Sequence, residues 1–310
     1  MYLITPAIQI YQTLQTRECF IHLVHLGRMR RLFPGTLTLM PQNELPLIVS
    51  PEALETELNR SDMVLVDLCK PEIFAQAHLP HAVHLDYAQI VSAQKPVMGL
   101  LPNPDTFASV LATIGATPEK WIVAYDDEGG GRAARLLWTL EVMGHGRLAL
   151  LDGGIHAWAA QQRPLTSDTT TPAHSHYEVS FGDQGVADRE YILSHLDDPD
   201  VQLLDTRTAD EYQGVKKLAA RGGHIPGAVN FNWTDAMDLN NNLLMREPAT
   251  LRATLAEMGV TTDKEIIVYC QSHHRSAHTY LLLRHLGYER VRGYPGAWSD
   301  WGNQPDTPVE

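Results

Sequence analysis

The second half of this chain repeats the first, and the repeat limits the fold more than any other feature of the sequence. Asp67 in "LVDL" corresponds to Asp205 in "LLDT", and "AHLPHAV" at 77–83 corresponds to "GHIPGAV" at 223–229, pairing His78 with His224 and Pro80 with Pro226. Further along, the match keeps a constant offset of 143: Arg132 falls on Arg275, Gly144 on Gly287, and the interval Gly153 to Trp158 on Gly296 to Trp301. Solenoid repeats run to about 20–50 residues, so a period this long means two copies of a whole domain. With 310 residues in all, each copy can bury a core of its own.

Within each copy short apolar strands alternate with amphipathic helices. The segments "MVLVD" 63–67, "WIVAYD" 121–126 and "LALLD" 148–152 read as strands, with helical patterns at 51–59, 104–114 and 131–143. The second copy gives a helix at 188–196, strands "VQLLD" 201–205 and "EIIVYC" 265–270, and helices at 248–258 and 275–287. This order predicts an α/β fold in which each copy is a mainly parallel sheet flanked by helices.

Two segments stand apart. Residues 1–44 set Arg17, Arg28, Arg30 and Arg31 against Glu18 and show no hydrophobic period; they are expected to be a disordered N-terminal extension, or to lie upstream of a natural start at Met40. Residues 162–186 are rich in Thr, Ser, Pro and Gly and form the linker, leaving copies at 45–161 and 187–310.

The formal net charge of −13 excludes the broad basic surface that displaces counterions from phosphates, so no nucleic-acid partner is expected. No apolar run approaches the roughly 18 residues of a membrane span and no signal-peptide order opens the chain, so no membrane association is expected. The cysteines are Cys19, Cys69 and Cys270, too few for a secreted disulfide framework; a reducing cytoplasm is the expected setting.

Cys270 ends an apolar strand and opens "CQSHHR", which runs into a helix. The carboxyl ends of parallel strands are where α/β sheets bind ligands, and a helix N-terminus lowers a thiol's pKa through its free N–H groups and partial positive charge. Between Cys270 and Arg275 lie Gln271, Ser272, His273 and His274, enough for a tight curl whose amides point inward as an anion nest. Residues 270–292 carry Arg275, Arg284, Arg290 and Arg292 against Glu289, a basic exception in an acidic chain, to which Lys216, Lys217 and Arg221 could add. At the repeat offset Cys270 falls on Asp127 in "YDDEGGGR", so only the second copy has the thiol.

The tandem α/β repeat, "GHIPGAVN", the six-residue loop from Cys270 to Arg275 and "GAWSDW" after the last strand together resemble the rhodanese family of sulfurtransferases, over residues 45–310. The resemblance implies two rhodanese-like domains, the first inactive for want of a cysteine. It makes Cys270 the nucleophile that carries sulfur as a persulfide, with Gln271, Ser272, His273, His274, Arg275 and Trp233 around the substrate and Asp205 and Arg207 in support. It implies no cofactor, a small anionic sulfur donor, an acceptor that is cyanide, a small thiol or a protein thiol, and a monomer.

Several roles stay open at this level. Arg275 could contact the donor or pin the loop through a carboxylate such as Asp205, since its fork suits either. His273 and His274 could move protons, recognise substrate or simply face solvent; a zinc site with Cys270 and His278 does not fit the usual separated ligand pairs. Trp233 could wall the pocket or be a core residue. The resemblance further implies that use of 3-mercaptopyruvate needs an arginine where this chain has Glu211, which would repel a carboxylate; thiosulfate is therefore the expected donor. A rhodanese-like phosphatase would need five residues between Cys and Arg, and this loop has four. A persulfide sensor or scaffold is the alternative outside catalysis.

Overall fold

The computed structural model describes residues 44–182 and 184–310. The expected extension at 1–44 lies, apart from Glu44, outside the described residues. The first copy runs β1 (Ile48–Val49), α1 (Pro51–Glu57), β2 (Met63–Asp67), α2 (Pro71–Gln76), β3 (Val83–His84), the hairpin β4 (Ser92–Gln94) and β5 (Val97–Leu100), α3 (Pro104–Thr113), β6 (Trp121–Tyr125), α4 (Gly131–Val142), β7 (Leu148–Leu151) and α5 (Gly154–Ala160). The second runs α6 (Arg189–Ser194), β8 (Val201–Asp205), α7 (Ala209–Tyr212), β9 (Val229–Asn230), the hairpin β10 (Met237–Asp238) and β11 (Leu244–Met245), α8 (Pro248–Glu257), β12 (Glu265–Tyr269), α9 (Arg275–His285), β13 (Val291–Gly293) and α10 (Ala297–Trp301).

The two main sheets have the orders β1-β7-β6-β2-β3 and β13-β12-β8-β9, and every neighbouring pair within them is parallel. The repeat is visible in the register: Asp67 lies opposite Tyr125 in the first sheet, and Asp205 opposite Tyr269 in the second. Parallel strands covered on both faces read as unbroken apolar runs, which is why "WIVAY" is buried at every position.

Helix starts follow local chemistry. Ser50 and Asn103 cap α1 and α3 just before a proline, Asp188 caps α6, and Thr208 forms a capping box with Glu211 at α7. The equivalent helices α4 and α9 receive no side-chain hydrogen bond from the residue just before them, Gly130 or His274, and each is buried around most of its circumference. A helix apolar on all sides belongs in a core. These two pack against each other, and Leu137, Leu140, Ala277 and Leu281 lie in one hydrophobic cluster that includes residues of both sheets.

The linker is tied to the first copy. Its Thr166 exchanges backbone hydrogen bonds with His78, Tyr177 is buried beside His145, and Val186 bridges Gly293 of the second sheet. No helix among the described residues is long and apolar enough to cross a membrane.

Candidate active site

Strand β12 ends at Tyr269, so Cys270 is the first residue past the carboxyl edge of the second sheet, and α9 begins five residues later. The loop is clamped from behind by the "GAWSDW" segment: Trp298 N donates to Cys270 O (3.0 Å) and Ser299 N to Gln271 O (2.9 Å). His273 takes a positive φ of 53°, the turn that brings the loop back to α9.

Cys270 is fully buried. Burial alone pushes its thiol up, but Arg275, the hydroxyl and amide of Ser276, and the amide of Ser272 outweigh it and hold the pKa at about 7. Ser276 Oγ lies 2.8 Å from His273 Nδ1. With the hydroxyl proton directed at sulfur, the oxygen accepts from His273 Nδ1–H, which places a ring proton on Nδ1. Burial also drives the pKa of His273 well below its ordinary value.

The first copy supplies much of the surroundings. Arg135, fully buried on α4, donates through Nη1 to the carbonyl oxygens of Ser272 (3.3 Å) and His273 (3.1 Å), and through Nη2 to that of Leu100 (3.1 Å). The His273 ring meets the edge of Trp138 with centroids 4.1 Å apart. At Gly99, where φ is +69°, an added Cβ would overlap the Ser272 carbonyl. Glu128 pairs with His274 Nε2, and Tyr87 lies 5.4 Å from the His274 ring.

Arg275 forms a two-point ion pair with Glu211, at 2.7 and 2.8 Å. Glu211 also accepts from the Thr208 hydroxyl (2.9 Å). Burial would raise the Glu211 carboxyl; Arg275 and Thr208 outweigh it and hold it at about 2. The expectation that Glu211 stands as a free repelling charge is thereby corrected: its side chain is buried and its charge is matched. Asp205 does not pin Arg275. It is buried with Arg207, accepting from the Arg207 backbone N–H, Nε and Nη2, while Arg207 also donates to Gly223 O (2.7 Å) and lies over Trp298.

Trp233 opens a 3-10 turn and is half-buried, its ring 6.2 Å from that of His274 and 5.6 Å from that of His278. Neither loop histidine simply faces solvent: His273 is fully buried and His274 Nε2 is held by the Glu128 carboxylate. Gln271 Nε2 donates to Leu218 O (3.0 Å), which ties in the loop carrying the exposed Lys216 and Lys217. Arg221 instead holds the C-terminal segment, donating to Trp301 O and Thr307 O. Among the described residues no group of three or more His, Cys, Asp and Glu is placed to hold a metal ion. Sequence reasoning missed Ser276, Tyr87, Glu128 and Arg135. Only Arg135 left a trace, as a charge inside the apolar run "AARLLW".

The model of the rhodanese-like domain matches residues 50–161 and again 188–304. The chain belongs to the rhodanese-like family. Among its relatives are thiosulfate sulfurtransferases from Azotobacter vinelandii, 45% identical over 86% of this chain and 97% of that protein, and from Pseudomonas aeruginosa, 42% identical over 86% and 98%. The sulfur carrier protein TtuD of Thermus thermophilus is 31% identical over 76% of this chain and 86% of that protein. Solved structures share the fold at low identity: YnjE, at 20%, has a TM-score of 0.77 over 85% of this chain and 68% of that one, and wild-type EanB, at 19%, has 0.75 over 85% and 69%.

The first rhodanese-like copy carries the same turn with its amide cradle filled. The Asp126 carboxylate accepts from the amides of Glu128 (3.0 Å), Gly130 (2.8 Å), Arg132 (2.9 Å) and Ala133 (3.0 Å). The strand register corrects the offset reading: strands β6 and β12 each end in a tyrosine, Tyr125 and Tyr269, so the counterpart of Cys270 is Asp126, and Asp127 is one residue further on, paired with Arg132 at 2.6 Å. Both repeat histidines are structural: His78 stacks on Phe74 at 3.9 Å and His224 on Tyr212 at 3.7 Å, each with Nδ1 bonded to the carbonyl of its stacking partner.

Proposed function

We propose that this chain is a thiosulfate sulfurtransferase whose second domain, residues 187–310, is catalytic and whose first, residues 45–161, holds no sulfur. The observation that carries the reading is the buried Cys270 thiol held at about 7 by Arg275, Ser276 and Ser272, beside relatives named for this reaction. A thiolate attacks the outer sulfur of thiosulfate; the new bond joins Cys270 Sγ to that sulfur, the sulfur–sulfur bond of the donor breaks, and sulfite leaves with the electron pair. The persulfide's terminal sulfur is anionic, and the donors around Cys270 stabilise it. Cyanide or a thiolate then takes that sulfur and returns Cys270 to thiolate. A thiol that must remain free suits a reducing cytoplasm.

In this reading Gln271, Ser272, His273, His274 and Arg275 form the donor site, Trp233 lines it, and Asp205 with Arg207 braces the strand beneath. Thiosulfate is preferred over 3-mercaptopyruvate by at least roughly tenfold in kcat/KM, because Glu211 stands where a carboxylate-binding arginine would be needed and takes up Arg275. The test is intact mass spectrometry before and after thiosulfate. One added sulfur, removed by cyanide with turnover and absent in Cys270→Ala, supports the proposal. Sulfur loading without rapid transfer would instead indicate a sensor, and no loading would refute both.

A further inference from the structure

Arg135 has no place in the donor chemistry, yet it is a fully buried cation whose hydrogen bonds go to neutral acceptors: the carbonyls of Ser272, His273 and Leu100 and the Thr139 hydroxyl. Its guanidinium also lies over the Trp138 ring at 5.0 Å. Burying a charge without a carboxylate partner is costly, and burial lowers the Arg135 pKa to about 10. Two features of the Cys270 loop match its position. The residue turned into the left-handed region is His273, whose carbonyl Arg135 binds, and Ser272, whose own N–H faces the Cys270 sulfur, gives its carbonyl to Arg135.

We infer that Arg135, in the copy without the thiol, is a positioning residue for Cys270: by gripping the Ser272 and His273 carbonyls from outside it keeps the loop amides turned toward the sulfur, and its charge favours thiolate and persulfide. Peptide units are planar, so fixing the Ser272 carbonyl through Arg135 and the Gln271 carbonyl through Ser299 N fixes the two peptides that flank Ser272, and with them the direction of its N–H. The thiol copy by itself lacks this grip, which gives the first domain a role in catalysis without chemistry of its own. The inference rests on the proposed role of Cys270, and the test reads the thiol directly.

The experiment compares the full chain with Arg135→Met and Arg135→Lys. The pH dependence of iodoacetamide alkylation is followed by mass spectrometry on the Cys270 peptide, together with thiosulfate kcat and KM and thermal melting. Arg135→Met should shift the alkylation midpoint upward by about one pH unit and lower kcat at least roughly tenfold with little change in KM. Arg135→Lys keeps the charge without the two-carbonyl grip, so it should recover part of the midpoint shift and little of kcat. If Arg135→Met does not fold, Arg135→Lys decides: reduced kcat at unchanged melting temperature supports the inference, and parental kcat overturns it. A folded Arg135→Met with parental midpoint and kcat also overturns it. Absence of sulfur transfer in the parent, with Cys270 alkylating near pH 7, would count against the proposed function and leave this inference standing.

Discussion

At the residue scale, the Cys270 environment predicts a pH profile. With the thiol at about 7, kcat/KM for thiosulfate should level off above roughly pH 8 and fall about tenfold per unit below roughly pH 6, as the thiolate is protonated. A profile flat from pH 5 to 8 would rule out this thiol as the limiting group. The Arg275–Glu211 pair makes a second prediction. Glu211→Gln should cost about 2–3 kcal/mol, on the low side for a buried pair because Arg275 keeps some contact with water, and should slow thiosulfate turnover by freeing Arg275. The depressed Glu211 carboxyl contributes stability above the unfolded pKa near 4.3 and loses it as pH falls toward 2. Melting at pH 6 and pH 3 checks this: the gap between parent and Glu211→Gln should narrow at the lower pH. Cys270, Arg275 and the curl between them were legible because they are contiguous and their chemistry is local. The partners were not: Glu211 is 64 residues from Arg275 in sequence, and Arg135 is 137 from Ser272. Which of many carboxylates meets a given arginine is decided by folding, so Asp205 was as good a reading as Glu211 until the α7 capping box turned Glu211 inward.

At the element scale, strands β2, β6, β8 and β12 and helices α3, α4, α8 and α9 fall where apolar runs and periodicity put them, because core segments carry their burial in their residues. The hairpin β4–β5 has no such signature; its "SAQKPVMGL" is mostly exposed and polar at the turn. It nonetheless touches the site. Met98 N donates to Ser299 Oγ (2.8 Å), Ser299 N donates to Gln271 O, and Gly99 lies against the Ser272 carbonyl. Gly99→Ala combines a positive φ with a clash against backbone, and should cost about 1–3 kcal/mol. It should also lower kcat/KM well beyond its effect on stability, because the carbonyl displaced belongs to Ser272, the residue whose own N–H faces the sulfur. Thermal melting and thiosulfate kinetics read the two effects separately, and parental kinetics would show that the hairpin is only a cover.

At the scale of the whole molecule, the repeat was legible from end to end, since duplicated domains keep their turn residues and helix-end glycines in step. How the copies divide the work was not, because that depends on α4 and α9 meeting in a shared core, which brings Arg135, Trp138 and Glu128 to a loop of the other copy. Asp127 was read as the reason the first copy holds no sulfur, yet the neighbouring Asp126 is the group that sits in the cradle. A duplicate one substitution away from a second thiol invites the thought that it could be reawakened by Asp126→Cys, at the position that strand register sets against Cys270. The carboxylate of Asp126 now fills that place, and the first copy behaves as though permanently bound to an inhibitor made from its own chain. A thiol in its place would stand in a turn with five residues before Arg132 where the Cys270 loop has four before Arg275, and beside Asp127 and Glu128, so mass spectrometry after thiosulfate should find Asp126→Cys loaded with one sulfur, on Cys270, as in the parent. The same change takes one acceptor away from four amides of a buried turn, so it should lower the melting temperature as well. One carboxylate thus both occupies the first copy's cradle and holds its turn together, and what that half contributes to the other is its hold on the Cys270 loop.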